Sequence, residues 1–385
     1  MELKADYKNT EIGAIPEGWE VKKMEVVAQI EMGQSPSSEN YNTKGVGLPL
    51  VQGNADIKNR KTIIRNYTSQ ITKICKKGDI IMSVRAPVGE IATATQNACI
   101  GRGVCALRYP NKYLFHYLLY IEPKWAQHST GSTFDSVNSE TIKKLKIPLP
   151  EQTAIAKVLS DTDNLLQTLE KKIAKKRLIK QGAMQELLKP KEGWVVKSLG
   201  DIATMSSGGT PSTKNTEYYN GKILWVSISD ITKAGKFIDD SLNKITGKGL
   251  LNSSAKIFSK NTVLLAMYAS IGKCCIATSE MSTSQAILGI EVHKSLLNEY
   301  LYYFLLFNRV KLASQGQQGT QSNLNKGMVE NINLPLPSIK EQTQIVTILS
   351  DMDTEIESLE KQLSKYKQVK QGVMQNLLTG KIRLV

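Results

Sequence analysis

The chain of 385 residues carries 50 Lys and Arg against 35 Asp and Glu, a net charge of +15, with 41% hydrophobic and 22% charged residues. That balance excludes global disorder and favours two or more compact domains over one. No apolar run approaches the roughly 20 residues that cross a bilayer, and Met1-Glu2-Leu3-Lys4 lacks the apolar core of a signal peptide, so the expected setting is cytoplasmic, with no membrane partner.

Five cysteines (Cys75, Cys99, Cys105, Cys274, Cys275) form no C-x-x-C pair, and His116, His128 and His293 are widely separated. A disulfide framework or a structural zinc site is not expected. Cys274 and Cys275 lie in an apolar stretch and read as reduced packing residues. The positive excess is six over residues 1–150, three over 151–190, five over 191–337 and one over 338–385, so both halves share it. A basic pI near 9.4 favours a polyanionic partner, nucleic acid above all.

Taken in order, residues 1–150 open with Pro16-Glu17-Gly18-Trp19 and a polar turn, Gly33-Gln34-Ser35-Pro36-Ser37. Short β-branched runs such as Gly78 to Val84 then alternate with Gly, Asn, Ser and Lys breaks, and helical periodicity appears at Tyr113 to Tyr120. A strand-rich α+β domain is expected here. Residues 151–190 read as one long helix, entered at Pro150-Glu151, with an apolar seam at Leu166, Leu169 and Ile173. Gly182 interrupts it late and suits either a close helix approach or a fray point.

The second half repeats the first. Residues 191–337 begin with Pro190 to Trp194, carry Gly208-Gly209-Thr210-Pro211-Ser212, a strand signal at Thr262 to Met267 and a helical one at Asn298 to Lys311. Residues 338–385 repeat the long helix, and between 151–188 and 341–378 there are 19 identities in 38 positions. Here the seam is Met352, Ile356, Leu359, Leu363 and Tyr366, and Ser338-x-x-Glu341 predicts a capping box. The extra Ser338-Ile339-Lys340 should start this helix about a turn earlier than its partner. The fold class is therefore α+β: two strand-rich globular domains separated by two long antiparallel coiled-coil helices, in a pseudo-two-fold internal repeat. A 38-residue helix spans about 57 Å, a spacer that would let two unlike basic domains meet duplex DNA at two half-sites with an unread gap.

This order of motifs, from Ile15-Pro16-Glu17-Gly18-Trp19 through Pro148-Leu149-Pro150-Glu151-Gln152 to Lys370-Gln371-Gly372-Val373-Met374-Gln375-Asn376-Leu377-Leu378, resembles the specificity subunit of type I restriction-modification systems over nearly the whole chain. The resemblance implies a non-catalytic subunit with two target recognition domains reading a bipartite, asymmetric double-stranded DNA sequence. It also implies docking of two modification (methyltransferase) subunits, which carry S-adenosylmethionine and methylate adenine, and of restriction subunits that add ATP- and Mg-dependent translocation and cleavage. No cofactor or metal is expected on this chain. The residues agree: there is no Pro-Pro of an adenine methyltransferase motif and no G-x-x-x-x-G-K-S/T phosphate loop, and Glu170-Lys171-Lys172 reads as a charged helix face. A coiled-coil protein-interaction scaffold and, behind it, a self-sufficient DNA-modifying enzyme are the competing readings.

Base edges are matched by Arg, Lys, Asn and Gln. Five of the eight arginines fall in the first region (Arg60, Arg65, Arg85, Arg102, Arg108), and Arg85 and Arg102 align with Tyr268 and Gln285 of the second. These four loop positions are the expected DNA contacts. Gln34, Ser35, Thr210 and Ser212 of the Gly-rich pair, and Ser132, Thr133, Thr320 and Gln321 of a second polar pair, are candidates for phosphate contact or plain turns. On the helices, Ile155, Val158, Ile345 and Ile348 are apolar beyond the seam. They fit docking of partner helices or packing on the chain's own domains equally well.

Overall fold

A computed structural model describes residues 7–127, 137–315 and 323–384. The chain forms two compact units, Met1–Glu170 with Lys361–Val385, and Lys171–Glu360. Four helices frame them: α1 (Tyr113–Ile121), α2 (Gln152–Leu187), α3 (Asn298–Phe307) and α4 (Ile339–Leu378).

In the first unit a six-stranded sheet is centred on Ile80–Ser83, which pairs antiparallel with Val104–Arg108 on one side and Ile91–Thr93 on the other. The strands of a five-stranded sheet built around Leu48–Val51 and Ala98–Ile100 interleave with it along the chain. The central strand is a continuous apolar run because both of its faces are covered: Ile80 and Met82 enter one core with α1, while Ile81 enters a second with Val51, Ile100 and Val104. The second unit repeats the plan. Val263 and Leu265 pack with α3, and Leu264 and Ala266 face the other way with Val226 and Phe258. All five cysteines are free and buried, and burial pushes the Cys275 and Cys105 thiols up to about 12.

Each long helix contributes to both units. In the first, Ile155, Ala156 and Leu159 at the start of α2 share a core with Leu377 and Leu378 at the end of α4. In the second, Ile345 and Leu349 at the start of α4 share one with Met184 of α2 and the following Leu188. The segments run antiparallel, as the ion pairs show: Lys370 to Asp163 and Lys367 to Glu170 (2.9 Å) in the first unit, Lys180 to Asp353 and Lys176 to Glu355 (2.7 Å) in the second.

The capping box forms, with the Glu341 amide donating to the Ser338 hydroxyl at 3.3 Å and the Ser338 amide donating to the Glu341 carboxylate at 3.3 Å. The second helix starts at Ile339, a turn ahead of the position matching Gln152. The seam is buried at Leu166, Leu169, Ile173, Ile356 and Leu359 but does not extend to Tyr366, which is 38% exposed. Neither expectation for the glycines holds. Both helices run on past Gly182 and Gly372, and a side chain at either position would meet open space.

Candidate nucleic-acid interface

Three loops of the first unit meet at one end of the central strand. The Gly33–Ser37 loop is held by the Gly33 amide donating to Val104 O (3.1 Å) and the Gln34 amide to Ile100 O (2.9 Å). The Val84 amide at the root of the Arg85 loop donates to Gly103 O (2.9 Å), in the turn that carries Arg102. The Arg102 amide in turn donates to the Ser35 hydroxyl at 3.1 Å. Gln34, Ser35, Arg85 and Arg102 are thereby gathered into one cluster.

The second unit reproduces the three backbone bonds. Gly208 donates to Ile287 O (3.1 Å), Gly209 to Thr283 O (2.9 Å) and Met267 to Ala286 O (2.9 Å). The match places Tyr268 at the position of Arg85 and Gln285 at that of Arg102, as the sequence alignment requires. Thr210 replaces Ser35, and its hydroxyl donates to the Gln285 side-chain oxygen. Ser212 is exposed at the rim of the same loop. Gly89 and Gly272, at the ends of the Arg85 and Tyr268 loops, both adopt left-handed backbone (φ 88° and 74°), which turns the chain back into its strand. Ala269, next to Tyr268, holds φ 56° without that freedom.

The glycines of the Gly-rich pair serve internal contact. A Cβ on Gly33 would lie 2.1 Å from Gly101 O, and one on Gly208 2.1 Å from the Thr283 hydroxyl, so only glycine lets these loops close on their neighbours. Ser35 and Thr210 also spend their hydroxyls inside the cluster, while Gln34 stays exposed. Ser132, Thr133, Thr320 and Gln321 lie outside the described residues.

The arginines divide cleanly. Arg60 is tied to Glu122 (2.7 Å), Arg65 to buried Asp56 (2.8 Å) and Arg108 to buried Asp79 by two bonds (3.0 and 2.6 Å). Among the described residues, Arg85 and Arg102 are exposed and their side chains have no hydrogen-bond or ion-pair partner. Arg309 of the second unit is bound to Ile271 O (3.5 Å), leaving the matching loops there to Tyr268, 40% exposed, and Gln285. Sequence reasoning missed Gln52 and Tyr41, which brace the first cluster: Gln52 donates to the Tyr41 hydroxyl (2.6 Å), which donates to Pro36 O (2.9 Å). Tyr219 does the same to Pro211 O (2.6 Å), so the shared Tyr after each Gly-rich motif was the available signal.

The family described as the type I restriction modification DNA specificity domain matches residues 16–177 and again 191–368. The chain belongs to the specificity-subunit family of type I restriction-modification enzymes. This specificity subunit is 33% identical to the type I restriction enzyme MjaIX specificity subunit of Methanocaldococcus jannaschii, over 99% of its own length and 97% of the relative's. It is 38% identical to the putative MjaX specificity subunit of the same organism, over 47% of its length and 45% of that chain. Its fold matches the crystal structure of a type I S subunit from M. genitalium with a TM-score of 0.61, 16% identity and 97% of both chains covered. As a specificity subunit it is a non-catalytic component with two target recognition domains. Among the described residues no helix is long and apolar enough to cross a membrane.

Of the four helix residues considered for docking, the structure takes two out of the set. Ile155 and Ile345 are 1% and 4% exposed because each faces the core of its own unit. Val158 and Ile348, three residues further along, are 37% and 42% exposed and remain available.

Proposed function

We propose that this subunit reads a split, asymmetric duplex DNA sequence, with recognition domains over residues 1–150 and 191–337 and the long helices as spacer. The observation that carries the reading is the pair of matched loop clusters, same backbone bonds but different tips: Arg85 and Arg102 in one, Tyr268 and Gln285 in the other. Unpartnered arginines suit guanine edges, and Gln suits adenine, so the two half-sites differ. Gln34 and Ser212 flank these tips as phosphate contacts. Val158 and Ile348 serve partner docking. The partners are two modification subunits bringing S-adenosylmethionine for adenine methylation, and restriction subunits adding ATP- and Mg-dependent cleavage in the cytoplasm.

The test is the salt dependence of DNA binding by the complex of this chain with its modification subunit. Affinity should fall steeply and linearly in log units with salt, as counterions return to phosphates, and more steeply than for the modification subunit alone. Binding of equal strength and equal salt slope without this chain would refute the reading.

A further inference from the structure

Away from the loop clusters, each unit carries a cleft. In the first unit a cleft of about 600 Å³ runs between α1, the turn that follows it, the strand Lys146–Leu149 and the end of α4. In the second a cleft of about 480 Å³ lies between α3, the helix Arg309–Gln315 and the strand Asn333–Leu336. Each of the eight residues lining the second occupies the repeat position of a residue lining the first, among them Phe304 for Tyr117, Leu312 for Trp125 and Lys311 for Lys124. The cleft is therefore a duplicated feature of the fold, kept while the loop tips diverged.

Its chemistry is also duplicated in the part that matters. The floor is aromatic and aliphatic, and at the rim stands a lysine in the same place. Lys124 lies over the Tyr120 ring (5.7 Å) and Lys311 is exposed; among the described residues neither has a carboxylate partner. Among the described residues the first cleft's single carboxylate, Glu11, is already held by Lys146 at 2.6 Å. Among the described residues the second has no carboxylate and is edged instead by asparagine amides, Asn308, Asn331 and Asn333. An apolar floor beneath an unneutralised cation and amide donors is complementary to an acidic amphipathic protein segment. In the first cleft Lys146 is held by Glu11 and Lys144 by Glu140 (3.6 Å), so among the described residues each cleft keeps one unneutralised lysine, too little positive charge for a tract of phosphates.

We propose that each cleft docks an acidic, amphipathic segment of a modification subunit, one per unit and two per chain. The inference rests on the reading that this chain works in a complex with that subunit. It is tested by native mass spectrometry of the full chain mixed with its cognate modification subunit, comparing wild type with Lys124→Glu, Lys311→Glu, the double variant and Lys→Arg controls. Both lysines are exposed, so thermal melts should be unchanged. Wild type should take two copies, each single charge reversal should weaken one copy by tenfold or more, the double variant should weaken both, and the arginine controls should bind as wild type. Two copies bound at undiminished affinity by the double variant would overturn the proposal, and so would loss of DNA affinity with the copy number intact. A wild-type chain that bound no modification subunit at all would instead refute the parent reading, and this inference with it.

Discussion

Arg102 and Arg108 stand six residues apart in one unit, and their removal should have opposite consequences. Arg108 donates from Nε and one terminal nitrogen to both oxygens of Asp79, whose side chain is 5% exposed. Asp79 also accepts the Lys76 amide at 2.8 Å, but without the guanidinium it is left as a largely buried, uncompensated charge. Breaking such a pair costs about 3–5 kcal/mol; Arg108 itself is 38% exposed, which places Arg108→Ala near 3 kcal/mol. Among the described residues Arg102 has no side-chain partner to lose, so Arg102→Ala should leave stability within about 0.5 kcal/mol. If it reads a base edge, the same change removes about 1–3 kcal/mol of binding, roughly 5- to 150-fold in affinity. Urea unfolding of each variant, alongside titration of the assembled complex with its methylated target sequence, measures both quantities. A stable Arg108→Ala, or an Arg102→Ala that binds and discriminates as wild type does, would refute the reasoning.

Three further outcomes follow from buried groups. His116 is 1% exposed and burial lowers its pKa from 6.5 to about 4, against the attraction of Asp163. The native chain thus binds fewer protons than the unfolded one, and the first unit should lose roughly 2–3 kcal/mol between pH 6.5 and 4. Tyr303 fills the repeat position and its hydroxyl donates to Asp353 at 2.8 Å, so His116→Tyr should flatten that acid slope, as read by denaturant unfolding at several pH values. Lys370→Met should destabilise more than Lys180→Met, by about 1 kcal/mol, because Asp353 keeps the Tyr303 hydroxyl while Asp163 keeps, among the described residues, only His116 at 3.9 Å. Ile345→Asp buries a charge in the second core and should unfold that unit, whereas Ile348→Asp at 42% exposure should melt as wild type does.

What the sequence reveals depends on how local the signal is. The long helices were legible because their seam, cap and three-residue insertion are written in consecutive residues, and the duplication supplied an internal control. The pairing of Arg85 with Tyr268 was legible because matching glycines, Gly89 and Gly272, close the two loops, and that of Arg102 with Gln285 followed from the same alignment of the repeat. That Val84 bonds to Gly103, bringing those loops together, was not, since sheet pairing is set by contacts distant in the chain. Nor could periodicity separate Ile155 from Val158. Both are apolar on the same helix, and only the position of the globular core decides which is covered. The duplicated cleft escaped for the same reason: its walls come from separate segments, and its lysines look like ordinary surface charge.

The central claim is that this chain supplies the sequence specificity of a DNA methyltransferase. Single-molecule methylation mapping of DNA from cells that co-express the chain with its cognate modification subunit tests it most directly. Adenine methylation is expected at one split motif with unlike half-sites, absent without this chain, and with one half relaxed by Arg102→Ala. Methylation at the same motif when the chain is omitted, or none when both subunits are present and bound to each other, would contradict it.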